Sequence, residues 1–540
     1  MRNETEKPHP TFAQNCRSYV SECCSNCSVH GFKFLGERNR NIFERILWLT
    51  TLIVCITLCA STILQAYHKW QRSPVVVSFA TTETPVWDIP FPAVTICPEA
   101  RAERSIVNYT DLVLMVRRGE QLSRQQRQDL SYISQICSHD WEDEVGEEED
   151  FLTEDFYEFL FNVKPNVDHA ISECVLFGKS CTKDIRALFT PIVSPDGVCL
   201  SFNLLDRRDV FEDIVATNYY TNRGIPHQKR SNWTLERGYS ATDDNDVMPR
   251  RTFVPGIAGG LQLTLWVESK NVDYVCSDAL QGYKIILHSP SQFPFTEGNF
   301  IRVGLNQVLV ASVKPIMVMT SKRLRSYHPD NRECYFMEER KLKFFKKYDQ
   351  NNCIHECLAN YTLHSCGCVP FEMPRINSTP ICGRAKRECV RNASALFLVN
   401  KNVKILDNVN EPNFVEKCDC RQTCSSIRYE TEISQTEWRW KRMERTLHHN
   451  GTRKKLNDEY SKIQIFFRDL QFITSERQEL YGLMDFLSSC GGLLGLFMGF
   501  SIISIVELIY FVSIRLFCNY RRFGPHHWSG DAELLQLKVE

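Results

Sequence analysis

Residues 483–514 read LMDFLSSCGGLLGLFMGFSIISIVELIYFVSI, apolar almost throughout but with two carboxylates, Asp485 near the start and Glu507 deep inside. As one helix the run would reach about 48 Å, longer than a hydrocarbon core of about 30 Å, so it must tilt, break or protrude. Ser488, Gly492, Gly495 and Gly499 recur at spacings of four, three and four, which stacks them on one helical face that Ser489, Gly491, Ser501 and Ser504 widen. For the glycines alone, an ordinary packing stripe is the plain reading, because small residues let helices approach closely in lipid. Glu507 changes that reading. A carboxylate inside a span is costly unless it meets water or a partner, and no Lys, Arg or His lies between Met484 and Ile514. A water-filled path removes the cost, and rotational symmetry would make Glu507 a cation-attracting ring.

Outward from this run, Ile46–Ala66 (ILWLTTLIVCITLCASTILQA) holds no charge in 21 residues, enough to cross the core as a first helix. Both this run and its charged leader are too long for a cleaved signal peptide. Lys33, Arg38, Arg40 and Arg45 precede it and Arg515, Arg521 and Arg522 follow the second run, against Lys69, Arg72, Arg468 and Arg477 on the facing flanks. That asymmetry places both termini in the cytosol. The expected division is a cytosolic segment 1–45, a first span 46–66, an external domain 67–482, a second span 483–514 and a cytosolic tail 515–540. Asn-x-Ser/Thr sites at Asn108, Asn232, Asn360, Asn377, Asn392 and Asn450 fall in the external part. Two more, at Asn3 and Asn26, fall in the cytosolic segment, so sequons alone do not decide the topology.

Of 24 cysteines, sixteen lie between Cys97 and Cys424. A dense, even set in one segment points to disulfides in an oxidising compartment. Zinc is the rival reading for Cys366-x-Cys368 and Cys418-x-Cys420, though no second knuckle has finger or ribbon spacing. With 64 basic and 65 acidic residues the net charge is −1, which gives no electrostatic reason for a nucleic-acid partner. Neither HExxH nor GxSxG occurs, so neither an enzyme nor a cofactor is expected.

Gln307–Thr320, Lys462–Phe472, Gly260–Val267 and Gly282–Leu287 read as strands of a half-buried sheet, and Asn108–Ile136 and Asp330–Asn360 as helices. These do not alternate as βαβ units. The expected fold is a two-span membrane protein with a large α+β, disulfide-rich external domain, an antiparallel sheet bearing helical lobes. The acidic stretch Asp140–Asp155 reads as a solvated loop, with cation or proton sensing as the other reading.

Cys490–Leu508, CGGLLGLFMGFSIISIVEL, closely resembles the pore helix of the degenerin/epithelial sodium channel family, whose hallmark Gly-x-Ser is Gly499-Phe500-Ser501 here, with the acidic position at Glu507. His30-Gly31, Phe91-Pro-Ala-Val-Thr-Ile-Cys97 and Gly197-Val-Cys199 followed by Phe202-Asn203 match three more family segments. Most specific is Cys353-x3-Cys357-x8-Cys366-x-Cys368, then Cys382, Cys389 and Cys418-x-Cys420-x3-Cys424. Trp233-Thr-Leu-Glu236-x-Gly238-Tyr239 and Leu287-His-Ser-Pro290 look like the insect pickpocket branch.

The resemblance implies one subunit of a homo- or heterotrimeric, amiloride-sensitive plasma-membrane channel built with related subunits, sodium being the permeant ion. It implies palm, β-ball, knuckle, finger (about 100–190) and thumb (about 334–424) lobes, a constriction at Gly499, Phe500 and Ser501, and gating roles for His30, Gly31 and Ser488. It also implies seven disulfides: Cys97–Cys199, Cys174–Cys181, Cys334–Cys424, Cys353–Cys420, Cys357–Cys418, Cys366–Cys389 and Cys368–Cys382. Cys137 and Cys276 are left over, and parity pairs them. No Pro-Pro-x-Tyr motif follows the second run, so ubiquitin-ligase control of the epithelial type is not implied. The alternative is a two-span glycosylated lipid or scavenger receptor, which needs neither Glu507 nor a glycine-patterned span. An ATP-gated trimeric channel would share the topology but not the cysteine spacing. Proton, ligand, contact chemical and mechanical stimuli all remain open.

Overall fold

Every second residue of Gln307–Thr320 faces inward, with Leu309, Ala311 and Val313 all but fully buried, so the run forms one 14-residue strand. It is the axis of an eight-stranded sheet. Val75–Pro85, Gln471–Glu479, Gln307–Thr320, Asp458–Phe467, Leu261–Glu268, Ile171–Leu176 and Lys179–Ser180 lie side by side in that order, and Ser426–Glu437 runs antiparallel along the other edge of the long strand. The sheet is mixed rather than antiparallel. Gln307–Thr320 pairs in parallel with Asp458–Phe467 and with Gln471–Glu479, because these partners arrive from far along the chain and need no hairpin. The expected single strand Lys462–Phe472 is thus two strands, parted by a turn at Arg468–Leu470.

The computed structural model describes residues 11–37, 40–72, 75–137, 149–165, 170–216, 229, 231, 233–240, 247–294, 298–402, 418–447, 458–523 and 528–529. They form two compact units, Val77–Arg477 and Met1–Val76 with Gln478–Glu540.

Within Val77–Arg477 a second sheet is antiparallel throughout, in the order Ile301–Val303, Tyr283–His288, Ala93–Pro98, Gly197–Phe202 and Phe189–Ser194. Phe91, Phe202, Leu263, Ile463 and Phe467 join the two sheets in one core. The expected helix Asn108–Ile136 is two helices, Tyr109–Arg117 and Arg124–Ile133. Ser123 starts the second with a capping box to Gln126, a Ser-x-x-Gln signal that ends one helix and begins another. Asp330–Asn360 differs more. Only Pro329–Arg332 and Gln350–Cys366 are helical. Between them Leu342, Phe344, Phe345 and Tyr348 point into a core with Cys97 and Cys199, and the Glu356 carboxylate accepts the Lys343 and Phe344 N–H groups at 2.9 and 2.8 Å. A helix would align those N–H groups along its axis and pull the aromatic residues out of that core.

All sixteen cysteines between Cys97 and Cys424 are bonded, as Cys97–Cys199, Cys137–Cys276, Cys174–Cys181, Cys334–Cys424, Cys353–Cys420, Cys357–Cys418, Cys366–Cys389 and Cys368–Cys382. The Cys-x-Cys pairs therefore offer no free thiolate to zinc. Cys276 sits in a loop that Asp273 fastens to the helix Tyr109–Arg117, accepting the Thr110 N–H at 3.0 Å and its hydroxyl at 2.6 Å. Of the acidic stretch, residues 140–148 lie outside the described residues. Glu154 pairs with the buried Arg375 at 2.5 Å and Asp150 with Lys386 at 3.6 Å.

The other unit is helical. Ile42–Arg72 is one 31-residue helix, and the second run divides into half-helices Leu483–Met498 and Ile502–Ile509, the latter continuing through a π-helical turn, Tyr510–Arg515, into Leu516–Phe523. Ile42–Gln71 and Ile502–Arg522 are candidate membrane helices, with only 11% and 17% of their most apolar 18-residue stretches buried. Apolar surface left that bare calls for lipid or for other copies.

Candidate functional site: the break in the second run

The break lies at Gly499-Phe500-Ser501, and each residue has a local reason to be there. Gly499 ends the first half-helix in the left-handed region, φ +60°, with its N–H on the Gly495 carbonyl at 2.9 Å and the Phe500 N–H on Leu494 at 3.3 Å. This helix-ending turn favours glycine. Ser501 is extended and opens the next half-helix through a reciprocal cap, its Oγ accepting the Ser504 N–H at 3.3 Å while Ser504 Oγ accepts the Ser501 N–H at 3.1 Å. The second run therefore breaks, as a run too long for the bilayer can.

The N-terminal segment packs into this break. His30 donates its N–H to the Met498 carbonyl at 3.0 Å, satisfying a carbonyl of the last turn of the first half-helix. Its ring lies over Gly499 so closely that a Cβ there would fall 1.8 Å from His30 Nδ1. Gly31, at φ +89°, turns the chain into the short helix Phe32–Gly36 while Leu52 of the first long helix closes on it. His30-Gly31 and Gly499-Phe500-Ser501, 468 residues apart by number at their nearest members (Gly31, Gly499), are one site.

Below His30 the contacts are polar. Ser28 Oγ lies 2.9 Å from Ser504 Oγ, which is 3.2 Å from Ser501 Oγ, a chain of three hydroxyls. The Ser28 N–H donates to Glu507 Oε2 at 3.1 Å. Glu507 therefore has a partner that inspection of the span's own residues missed, a backbone donor from the other end of the sequence. A hydrogen bond to a charged acceptor contributes about 1.5–3 kcal/mol and offsets part of the cost of a carboxylate at this depth. Tyr19 donates its hydroxyl to the Phe511 carbonyl, and Glu22 pairs with Arg515 at 2.9 Å. Nothing in the pattern of residues 11–28 announces these contacts except that Tyr19 and Glu22 share a helix face.

At the other end of the first half-helix, Tyr481 donates to Ser489 Oγ at 2.6 Å, Lys69 Nζ stands 5.4 Å from the Tyr481 ring, and Trp70 stacks on Phe486 at 5.2 Å. Ser488 is exposed, and a Cβ built at Gly491 or Gly492 would meet nothing within 4 Å. The small-residue face is thus open at Ser488, Gly491 and Gly492. Of the sequons, Asn377 and Asn392 are exposed, Asn360 is half-buried in its helix and Asn108 caps one, while Asn232 and Asn450 lie outside the described residues.

A family model described as amiloride-sensitive sodium channel matches residues 23–511. The chain is 26% identical to pickpocket protein 28 of Drosophila melanogaster over 522 residues, covering 93% of this chain and 79% of the relative. It is 23% identical to sodium channel protein Nach of Drosophila melanogaster, covering 94% and 90%, and 23% identical to the bile acid-sensitive ion channel of Mus musculus, covering 93% and 88%. The match takes in most of the N-terminal contacts, the disulfide-bonded unit and the broken helix alike, and the chain belongs to the amiloride-sensitive sodium channel family.

Proposed function

We propose that this sodium-channel subunit works in the plasma membrane as one of three, with itself or with related subunits, and forms an amiloride-sensitive, sodium-selective pore along the second run. The observation that carries the reading is the break at Gly499-Phe500-Ser501. It interrupts the helical hydrogen-bond ladder, so that backbone carbonyls there can turn toward a pore, and such oxygens replace the hydration shell of a small hard cation. The open face of Ser488, Gly491 and Gly492 supports assembly around an axis, since none of the described residues comes within 4 Å of a Cβ built at either glycine. Three Glu507 carboxylates would then draw cations toward the constriction. Both termini lie in the cytosol, residues 67–482 outside, and the stimulus acts on the external domain.

Two recordings test this. Expressed alone or with a related subunit, the chain should carry an inward current that amiloride blocks and that vanishes when external sodium is replaced by a large organic cation. Ser488→Val should raise the resting part of that current, because a bulkier side chain on the small-residue face holds neighbouring helices apart. A current indifferent to sodium replacement would sink the channel reading. A surface-expressed Ser488→Val channel that opens to its stimulus yet is silent at rest would remove Ser488 from the gate.

A further inference from the structure

Between Ile502–Ile509 and Leu516–Phe523 the second run leaves α-helical pairing for six residues, the π-helical turn Tyr510–Arg515. Such turns are rare inside α-helices and recur at functional sites. This one needs a local cause, because YFVSIR contains neither proline nor glycine. Two hydroxyls supply it. Ser513 Oγ donates to the Ile509 carbonyl at 2.5 Å, and Tyr19, on the N-terminal helix Phe12–Asn26, donates to the Phe511 carbonyl. A hydroxyl on a helical carbonyl competes with the backbone ladder and bends it. Ser513 acts from within the turn, whereas Tyr19 reaches it from 492 residues away.

Tyr19 is held for that contact. Glu22, one turn further along the same helix face, accepts from Arg515 at 2.9 Å and from Ser529 Oγ at 2.6 Å. The helix thus grips the turn at Phe511, its buried residue, and at Arg515, its last. Burial, with the Cys23 thiol and the Glu22 carboxylate nearby, pushes the Tyr19 phenol up to about 12, so it stays a donor at neutral pH. Upstream of the turn the consequence is one of register. A single π turn is one residue inserted into an α-helix, so its return to α moves every upstream residue by one place, about 100° of rotation and about 1.5 Å of rise. With Arg515 fixed by Glu22, Ile505 then takes the place of Ser504, and Leu508 that of Glu507. Ser28 would lose both partners, Ser504 Oγ at 2.9 Å and Glu507 Oε2 at 3.1 Å. The break at Gly499-Phe500-Ser501 lets Ile502–Ile509 turn without carrying Leu483–Met498 with it.

We propose that Tyr19 is a positioning residue of the pore helix. Its hydroxyl latches the π turn, and release of the latch returns Tyr510–Arg515 to α-helix and exchanges the polar row Ser504, Glu507 for the apolar row Ile505, Leu508. The latched register offers cations a carboxylate, the released one an apolar wall that sheds water, so release closes the path. The inference rests on the proposed cation path along the second run.

Cross-linking of the purified full-length chain reads the register without any current. In a background with Cys16, Cys23, Cys24 and Cys27 replaced by serine, Ser28→Cys is combined with Ser504→Cys or with Ile505→Cys and mildly oxidised. The 504 pair should bond in preference to the 505 pair. Adding Tyr19→Phe, which keeps the ring and removes only the hydroxyl, should move that preference toward 505 by about 2–10-fold, the worth of one hydrogen bond, and Ser513→Ala should move it the same way. In recordings, Tyr19→Phe at normal surface levels should lower the stimulated open fraction by a similar factor. A preference unchanged by Tyr19→Phe overturns the latch whether or not the chain conducts, and so does a moved preference with the open fraction unaltered. A moved preference in a chain that carries no sodium current would support the latch and count against the channel reading alone.

Discussion

All sixteen bonded cysteines lie in Val77–Arg477, and all eight free ones in the unit that carries the two apolar runs. The disulfide-bonded unit is stapled eight times around cores joined by two sheets. The other is held at its break by single contacts: the amide of His30 on Met498, the amide of Ser28 on Glu507 and the Glu22–Arg515 pair. A hydrogen bond contributes about 0.5–1.5 kcal/mol, a disulfide about 2–4 kcal/mol. The first unit is therefore the stiffer of the two, and the second can rearrange at little cost.

The comparison breaks most easily at the long covalent loops. Replacing both Cys137 and Cys276 by serine releases a separation of 139 residues, against 7 for Cys174 and Cys181. Loop entropy puts these losses at about 5 and about 2 kcal/mol. Denaturant unfolding of the purified protein should rank them so, and equal losses would remove the argument that the long bridge is the stronger staple.

Acid should weaken the stapled unit. Burial holds His288 and His355 down to about 4 in the folded state, against an ordinary 6.5. Between those values the unfolded chain takes up protons that the folded one refuses, so stability falls as pH drops from about 6.5 to about 4, by at most about 1.4 kcal/mol per unit for each histidine. Burial pushes Asp349 and Glu356 up, and these act with the opposite sign. His288→Gln isolates its share: the slope of stability against pH should flatten by one proton at most, and an unchanged slope would contradict the assignment.

Within the stapled unit a buried ion pair stands between bridge and hydrogen bond in strength. Glu154→Gln leaves the fully buried Arg375 guanidinium without its carboxylate and should cost about 1–3 kcal/mol, less than a fully buried pair because Glu154 is itself half-exposed. Unfolding at neutral pH measures it. The smallest effect belongs to the other unit. Ser28→Ala removes one hydroxyl from the chain to Ser504 and Ser501 but keeps the amide on Glu507, so it should shift the resting open fraction only by about 2–5-fold, the equivalent of about 0.5–1 kcal/mol. A shift of a hundredfold in single-channel records would mean that the hydroxyl chain, not the amide, holds the gate.

Much of this contrast is legible in the residues themselves. The strand Gln307–Thr320, the apolar runs and the Gly499 break carry local signals, namely alternation, length and a helix-ending glycine. The parallel pairing around Gln307–Thr320 has none, because it depends on strands more than 140 residues later in the chain. Residues 336–348 misled for a physical reason: helix-like spacing of Leu342, Phe345 and Tyr348 is overridden by a core that Phe344 also enters. At the site, Gly499 and Glu507 stand out as residues, but their partners His30 and Ser28 come from the other end of the chain, and no periodicity joins the two.

The central claim is that Gly499, with His30 lying on it, forms the constriction that selects the ion. Reversal potentials of the sodium and potassium currents carried by Gly499→Ala and Ser501→Cys test it directly. Alanine at 499 meets both a backbone at φ +60° and the His30 ring, so the break must reshape. Both variants should lose sodium preference, with the sodium and potassium reversal potentials drawing together. Channels that conduct with both reversal potentials unchanged in both variants would place the selecting oxygens elsewhere and contradict the account.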